Sequence, residues 1–339
     1  MTVPEPAPAP SARTGIVLRD AMPWHDQRQV VETAEETGYE AVFVPEIDGR
    51  EAFSVLTGFA GVTSRLSLGT GVVTVWTRHP ATAAMAAGTV HDLSGGRMML
   101  GIGAGSPTGP GAGTVGPSTP VALVEEYVRV VREALSGDAV TPGPAGDPFR
   151  AAGFRSTLSV PPPPIWLAAL GDRMLELSGR VADGVLLNWC PPERVASARA
   201  VLRDAAEGAG RDPGSVTVAV YVRACLGVED DVALPPLRAM TGLYASIPHY
   251  RRQLEAVGLG QDAATAAKAV GDGRPQDVPE DLVRALTVLG GRDDALRRFD
   301  AYRRAGADLV LCYPVAARDP FSSVLGTLLT AAPSVAVER

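Results

Sequence analysis

The stretch G-I-V-L-R-D-A-M-P-W-H-D-Q-R-Q-V-V-E-T-A-E-E-T-G-Y-E-A-V-F-V (residues 15–44) carries the reading of the fold. Its two ends, Gly15-Ile16-Val17-Leu18 and Ala41-Val42-Phe43-Val44, are short continuous apolar runs. Continuous runs, unlike alternating ones, mark strands buried on both faces, as in parallel sheets. Between them, residues 26–37 place Val30, Val31 and Ala34 on one helical face and stop at Gly38, a residue suited to the C′ position. Strand, helix and strand in this spacing make a right-handed crossover.

The rhythm repeats. Apolar runs at 66–75, 98–102, 165–167, 184–187, 216–222 and 308–311 bring the total to eight. Helical patterns fill the gaps. Residues 80–93 open on proline and close on Ser94-Gly95-Gly96; residues 120–135 space Leu123, Val124, Tyr127, Val128, Val131 and Leu135 at helical intervals; 192–209 and 293–305 follow suit. Eight β-then-α units predict an α/β fold of the closed (β/α)8, or TIM, barrel type. A doubly wound open sheet is the alternative that the pattern allows.

Two stretches break the rhythm, so insertions are expected after strands 4 and 7. Residues 137–160 are rich in Gly and Pro with short strand-like pieces, and predict a small β excursion. Residues 230–289 read as two or three helices. They either wall the C-terminal face of the barrel, where active sites form, or serve as an oligomer contact. Residues 1–13 are Pro/Ala-rich and read as a floppy tail, lacking the basic and apolar regions of a signal peptide. Residues 14–339 read as one barrel domain, cytoplasmic by default.

Composition narrows the function. The 339 residues are 46% apolar and 20% charged, which excludes a mainly disordered chain. Apolar runs stop at about eight residues, short of the roughly 20 that span a bilayer. A net charge of -7 and a pI near 5.2 argue against a nucleic-acid partner. Lys268 is the single lysine and lies in a polar, Ala-rich stretch, so Schiff-base chemistry is not expected. Cys190, Cys225 and Cys312 form no C-x-x-C; His25, His79, His91 and His249 form neither H-x-H nor H-E-x-x-H. No metal site is expected.

Function on a barrel concentrates where strands end. Those ends are Arg19, Asp20, Glu46, Thr70 to Val73 (with Gly71 and Val72), Gly103 to Ser106 (with Gly105), Ala168 to Asp172, Asn188, Trp189, Tyr221, Arg223 and Tyr313. Few acids, many glycines and several aromatics suit a flat conjugated ligand better than a hydrolytic centre. The string Gly101-Ile-Gly103-Ala-Gly105 is G-x-G-x-G, and a Pro/Gly stretch follows it instead of a helix, so it is a poor dinucleotide fingerprint. At Ala168-Ala169-Leu170-Gly171-Asp172 a strand gives way to a helix, a junction that offers N–H groups to an anion or is an ordinary turn.

In order and spacing, these stretches resemble the bacterial luciferase-like superfamily, and within it the flavin- or deazaflavin-dependent oxidoreductases. The carrying pieces are E-E-T-G-Y-E-A-V-F-V-P-E (35–46), T-S-R-L-S-L-G-T-G-V-V (63–73), R-H-P (78–80), L-S-G-G-R-M-M-L-G-I-G-A-G (93–105), E-E-Y-V-R-V-V-R (125–132), A-D-G-V-L-L-N-W (182–189), G-A-G-R-D-P (208–213) and Y-R-R-A-G-A-D-L-V-L (302–311). The arginine-rich version resembles the coenzyme F420-dependent reductases related to methylenetetrahydromethanopterin reductase.

The resemblance implies a cis peptide at Gly71–Val72 that backs the central ring of the cofactor, with Thr70, Gly103 and Gly105 around it. It also implies a phosphate turn at Ala169, Leu170 and Gly171, and a ring or substrate contact from Asn188 and Trp189. Asp20, Trp24, Tyr221 and Arg223 are the candidate substrate residues; Arg223 could hold an acidic substrate or the cofactor's acidic tail, and Arg223 paired to a barrel carboxylate is the structural alternative.

The family often has an acidic residue then His at the second strand end, where Glu46-Ile47 stands here. Its alcohol and sugar-phosphate dehydrogenase branch has Gly-Glu where Gly105-Ser106 stands here. Base-assisted oxidation of an alcohol is therefore not expected. Glu46 or Ser106 is left as the catalytic candidate, with a helix-cap or ion-pair role the other reading of Glu46. The expected activity is hydride transfer between reduced F420 and a small organic acceptor with an activated C=C or C=N bond. An FMN-dependent monooxygenase and a non-catalytic flavin-binding protein are the rivals. Small residues in 50–64 and 80–93 suit a homodimer contact or burial within one chain.

Overall fold

The computed structural model describes residues 13–19, 21–105, 119–144, 146–158 and 161–333. The tail of residues 1–12 lies outside them; Arg13 is anchored, its guanidinium 3.0 Å from Glu40. The strands are β1 (Thr14–Val17), β2 (Ala41–Val44), β3 (Ser67–Thr70), β4 (Val73–Thr74), β5 (Met98–Gly103), β6 (Ile165–Ala168), β7 (Gly184–Asn188), β8 (Thr217–Leu226), β9 (Thr287–Gly290) and β10 (Leu309–Pro314). The helices are α1 (Trp24–Glu36), α2 (Ala52–Ala60), α3 (Pro80–Leu93), α4 (Pro120–Ser136), α5 (Asp172–Val181), α6 (Pro192–Gly208), α7 (Asp230–Ser246), α8 (Pro248–Ala256), α9 (Gly260–Gly271), α10 (Glu280–Leu286), α11 (Arg292–Arg304) and α12 (Pro320–Thr330).

All pairings are parallel. β1 lies between β10 and β2, with Ile16 opposite Cys312 on one side and Val42 on the other. The sheet runs through β2, β3, β5, β6, β7 and β8, and β8 returns to β10 with Tyr221 opposite Leu311. That last pairing closes the barrel of eight strands expected from the sequence and removes the open sheet. β4 extends the third strand beyond residues 71–72 and pairs with the end of β5. β9 flanks the outer end of β8, Arg223 opposite Thr287, just past the last β7 partner at Tyr221.

The insertions differ from expectation in detail. Residues 230–289 form four α-helices, α7 to α10, and a short 3-10 turn, and lead into β9. Their apolar faces make a core of their own with Leu237, Leu254 and Leu282, and this core includes Trp189 and Cys225 from the barrel. Residues 137–160 form no strand among those described. Their nearest approach to one is a pair of backbone bonds, Val140 N to Phe154 O and Gly153 N to Val140 O, both 2.8 Å. Prolines and a left-handed Gly153 prevent a longer ladder.

The barrel interior is packed with aromatics. Phe43 meets Trp166 edge-on with centroids 5.8 Å apart, and Tyr221 meets Tyr313 at 6.0 Å. Val17, Met99, Leu186, Leu309 and Leu311 fill the space around them.

The N-terminal face is stapled by charges from the quoted motifs. Glu35 accepts the N–H groups of Ser64, Arg65 and Leu66 ahead of β3. Asp183 accepts Ile165 N at 2.8 Å and Asp308 accepts Val218 N at 2.7 Å, each at a strand start. Arg97 binds the carbonyls of Ala60, Thr63, Leu66 and Ser94 and the hydroxyl of Thr63. Conspicuous sequence at this face reads as stability.

Candidate active site

Successive strand residues point to opposite faces, so residues two apart share one. Leu186 and Asn188, Tyr221 and Arg223, and Leu311 and Tyr313 therefore line the lumen of β7, β8 and β10. Arg223 is the charged member, and it is 2% exposed. Its Nη1 donates to Asn188 Oδ1 in a short bond. Aromatic rings surround the guanidinium: Tyr313 at 4.1 Å, Trp189 at 4.7 Å, Tyr244 at 5.4 Å and Tyr221 at 5.8 Å. No carboxylate among the described residues pairs with it. The alternative of a barrel ion pair for Arg223 finds no partner among the described residues.

The insertion completes this cage. Tyr244 of α7 stacks on Trp189 with centroids 4.7 Å apart. Tyr250 of α8 accepts from Asn188 Nδ2 at 2.8 Å, and Gln253 donates to the carbonyls of Asn188 and Trp189 at 3.0 and 2.7 Å. Trp189 takes a left-handed φ of 51°, which turns the chain as it leaves β7. Burial pushes the phenols of Tyr221 and Tyr250 well up, so both stay protonated at neutral pH.

Across the lumen the Gly71–Val72 peptide is cis, as the resemblance implied. Tyr221 Oη donates to Gly71 O at 3.2 Å. A Cβ at Gly71 would run into that hydroxyl and into Phe43. Thr70 exchanges bonds with the backbone of Gly101, at 2.8 Å each way, so its hydroxyl is used within the sheet. Gly103 makes room for Val72, and Gly105, at φ 62°, lies against Thr74 and Trp76. The chain's own packing thus accounts for these glycines. Val72 is half-buried above the interior cluster.

The turn at Ala169, Leu170 and Gly171 differs. A Cβ at Gly171 would meet nothing within 4 Å. Gly171 caps α5 without a side-chain bond, and the first returning bonds come from Met174 N and Leu175 N, both to Gly171 O. The N–H groups of Leu170 and Gly171 are left for an outside acceptor, whereas Ala169 N already donates to Leu186 O at 3.3 Å. Arg194, in the first turn of α6, braces the turn through Leu170 O at 2.7 Å and Asp172 Oδ1 at 2.9 Å.

Glu46 lies two residues beyond β2. Its Oε2 accepts from Arg78 Nη2 at 2.9 Å and from Ala52 N at 3.2 Å. Arg78 also holds Glu51, which caps α2. His79 caps α3 through Nδ1 and meets Phe149 O through Nε2, so R-H-P is an ion-pair hub, a cap and a first-turn proline. Trp24 stacks on Phe59 of α2 at 5.6 Å, in the helical layer and not in the cage around Arg223. Asp20 and Ser106 lie outside the described residues.

Sequence reasoning missed Arg78, Arg194, Tyr244, Tyr250 and Gln253 as site residues. Arg78 stood inside a quoted motif, and the others carried no local signal. Among the described residues no group of three or more His, Cys, Asp and Glu can hold a metal ion. No helix among them is long and apolar enough to cross a membrane.

Comparison with known proteins follows the same lines. The chain is 35% identical over 201 residues to 5,10-methylenetetrahydromethanopterin reductase of Methanolobus tindarius, a match to 59% of this chain and 60% of that protein. It is 27% identical over 308 residues to the protein of the same name from Archaeoglobus fulgidus, covering 88% and 92%. It spans about half of the phthiodiolone/phenolphthiodiolone dimycocerosates ketoreductase of Mycobacterium tuberculosis, 38% identical over 203 residues (56% of this chain and 51% of that protein). The fold superimposes on the coenzyme F420-dependent tetrahydromethanopterin reductase of Methanopyrus kandleri with a TM-score of 0.79 at 24% identity, covering 94% and 97% of the two chains. An F420-dependent secondary alcohol dehydrogenase gives 0.76 at 17%, covering 95% and 98%. The sequence profile of the luciferase-like monooxygenase family matches residues 2–309, and the chain belongs to that family.

Proposed function

We propose that this protein is a coenzyme F420-dependent oxidoreductase that moves a hydride between reduced deazaflavin and an organic acceptor with an activated C=C or C=N bond. The observation that carries it is the pairing of two fittings at one barrel mouth. One is a braced turn with unmet N–H groups and an open Gly171. The other is a half-buried Val72 on a bulge fixed by Tyr221. Together they suit a phosphate and a planar ring. The F420-dependent proteins among the relatives and neighbours support the cofactor.

The deazaflavin supplies the hydride when bound. The chain supplies position. The N–H groups of Leu170 and Gly171 would hold the phosphate, while Arg194 holds the carbonyl of Leu170. The Tyr221 hydroxyl holds the Gly71 carbonyl, fixing the bulge against which the ring would rest. Trp189 and Tyr244 close the insertion side against water. Glu46, held at Oε2 by Arg78 and α2, handles the proton on this reading.

Titration of the apo-protein with F420 and with FMN, in both redox states and followed by fluorescence, tests this reading. Preference for F420 with turnover of unsaturated acceptors supports it. Preference for FMN with oxygen uptake replaces it by the monooxygenase reading, and binding of neither overturns it. Tight F420 binding without any turnover leaves a non-catalytic binding protein.

We also propose a cytoplasmic homodimer. Three cysteines kept as buried free thiols support a reducing compartment. Ala83, Ala84, Ala87 and Gly88 of α3 are buried within the chain, so the dimer rests on exposed Met85 and Leu93 of the same helix. Light scattering tests it.

A further inference from the structure

Arg223 is a buried cation whose hydrogen bonding within the described residues is incomplete. A buried cation needs an opposite charge or full hydrogen bonding, and aromatic faces supply only part of that. Here the guanidinium has rings on several sides and one amide oxygen at Nη1. Its Nε is buried and meets no acceptor. Asp48, an acid close enough to act on Tyr313, is itself held by Arg19 at 3.0 Å. The side edge formed by Nε and Nη2 therefore carries no bond to a described residue, while Asn188 holds the opposite nitrogen in place. That edge is the planar fork that matches the two oxygens of a carboxylate. A local rule broken without compensation inside the fold marks a functional position.

Resting on the reading of this mouth as the site of hydride transfer, we propose that Arg223 is a binding residue for the acceptor, and that the acceptor is a planar unsaturated carboxylate. The anion takes the Nε–Nη2 edge. Its conjugated part lies among Trp189, Tyr221 and Tyr313. Tyr244 and Tyr250, the half-buried aromatics contributed by the insertion, control entry. A carboxylate neutralises the buried charge, so binding and relief of the unpaired cation are one event. A neutral isostere leaves it unpaired.

The full chain, with and without F420, is titrated with trans-cinnamate and with trans-cinnamamide, by calorimetry and by tryptophan fluorescence, since Trp189 touches the cation. The wild type is expected to bind cinnamate at least ~10-fold more tightly than the amide. Arg223→Gln is expected to erase that preference and leave F420 affinity within about twofold. Arg223→Met, which removes the charge and keeps the volume, is expected to raise the melting temperature by ~3 °C or more. Equal or absent binding of the two probes to the wild type, which needs no variant, overturns the proposal. So does a preference that survives Arg223→Gln, or a fall in melting temperature in Arg223→Met, which would make the arginine structural. Loss of F420 affinity in Arg223→Gln would assign the cation to the cofactor and also overturn it. Cinnamate preference without any F420 binding would support this site while sinking the F420 reading.

Discussion

Two glycines of this barrel should answer the same substitution in opposite ways. Gly171 has φ -95° and ψ 158°, which alanine adopts without strain, and a Cβ there meets no protein atom within 4 Å. Restricting the unfolded chain stabilises by ~0.4–1 kcal/mol, and losing a glycine N-cap costs a similar few tenths or more. The net change in stability for Gly171→Ala is therefore within ~0.5 kcal/mol. At about 2.1 cal/mol/K per residue, a chain of 339 residues has an unfolding entropy near ~0.7 kcal/mol/K, so the melting temperature should move by less than ~1 °C. A phosphate seated on the turn would meet the new methyl. Overpacking of that kind costs ~1–3 kcal/mol, or ~5- to ~150-fold in F420 affinity. Gly101 is the converse. A Cβ there collides with the backbone carbonyl of Thr70, which cannot swing aside as a side chain can. Gly101→Ala should cost ~3 kcal/mol or more and lower the melting temperature by ~4 °C or more. Thermal melts and fluorescence titration with F420 read both arms. If Gly171→Ala binds F420 normally, the phosphate is not on this turn; if it melts more than ~2 °C low, the turn is structural.

Other perturbations separate the two faces of the barrel. Glu46→Gln should lower turnover at least ~10-fold with cofactor affinity near normal, and unchanged turnover would leave Glu46 only its bonds to Arg78 and α2. Arg97→Ala strips donors from four carbonyls around β3 and β5 and should cost ~3 kcal/mol or more. Its melting temperature should drop by ~4 °C while F420 affinity holds; a matching loss of affinity would contradict placing Arg97 on the stability face. Burial opposes ionisation of Glu35, yet the N–H groups of Arg65, Leu66 and Ser64 hold its carboxyl below the usual carboxylate range. The unfolded chain then binds more protons, so this stabilisation is present above pH ~4.3 and is lost as pH falls through the folded value. Below pH ~4.5, wild type should lose melting temperature more steeply than Glu35→Gln, and parallel curves would refute the assignment.

Much of the molecule was legible before folding because strand and helix periodicities are local. The eight apolar runs fall on the eight barrel strands, and residues 80–93 coincide with α3. The quoted motifs were also informative, but about a different face. Glu35, Arg97, Asp183 and Asp308 are conspicuous because each must satisfy backbone groups at a strand start, a demand imposed by barrel closure. The site was only half legible. The glycines at 71, 103 and 105 looked like ligand contacts, and the chain's own packing already leaves no room for a Cβ at any of them. Among the candidate cofactor-binding glycines at 71, 103, 105 and 171, Gly171, at an ordinary-looking βα junction, is the one that nothing in the protein crowds. The β excursion expected at 137–160 did not form among the described residues, since composition alone does not supply a partner strand.

From the residues alone, the alternation of continuous apolar runs and amphipathic helices determined a parallel α/β sheet of eight strands, and the pleat placed Tyr221 and Arg223 on one face. Tertiary structure decided what Arg223 means. Its cage is drawn from Asn188 and Trp189, from Tyr244 and from Tyr313, three places far apart in the chain, and the lack of a counter-charge among the described residues is a property of all of them together. Periodicity records which side of an element is buried. It does not record what is buried there with it, because that depends on closure between β8 and β10 and on how the insertion folds over the mouth.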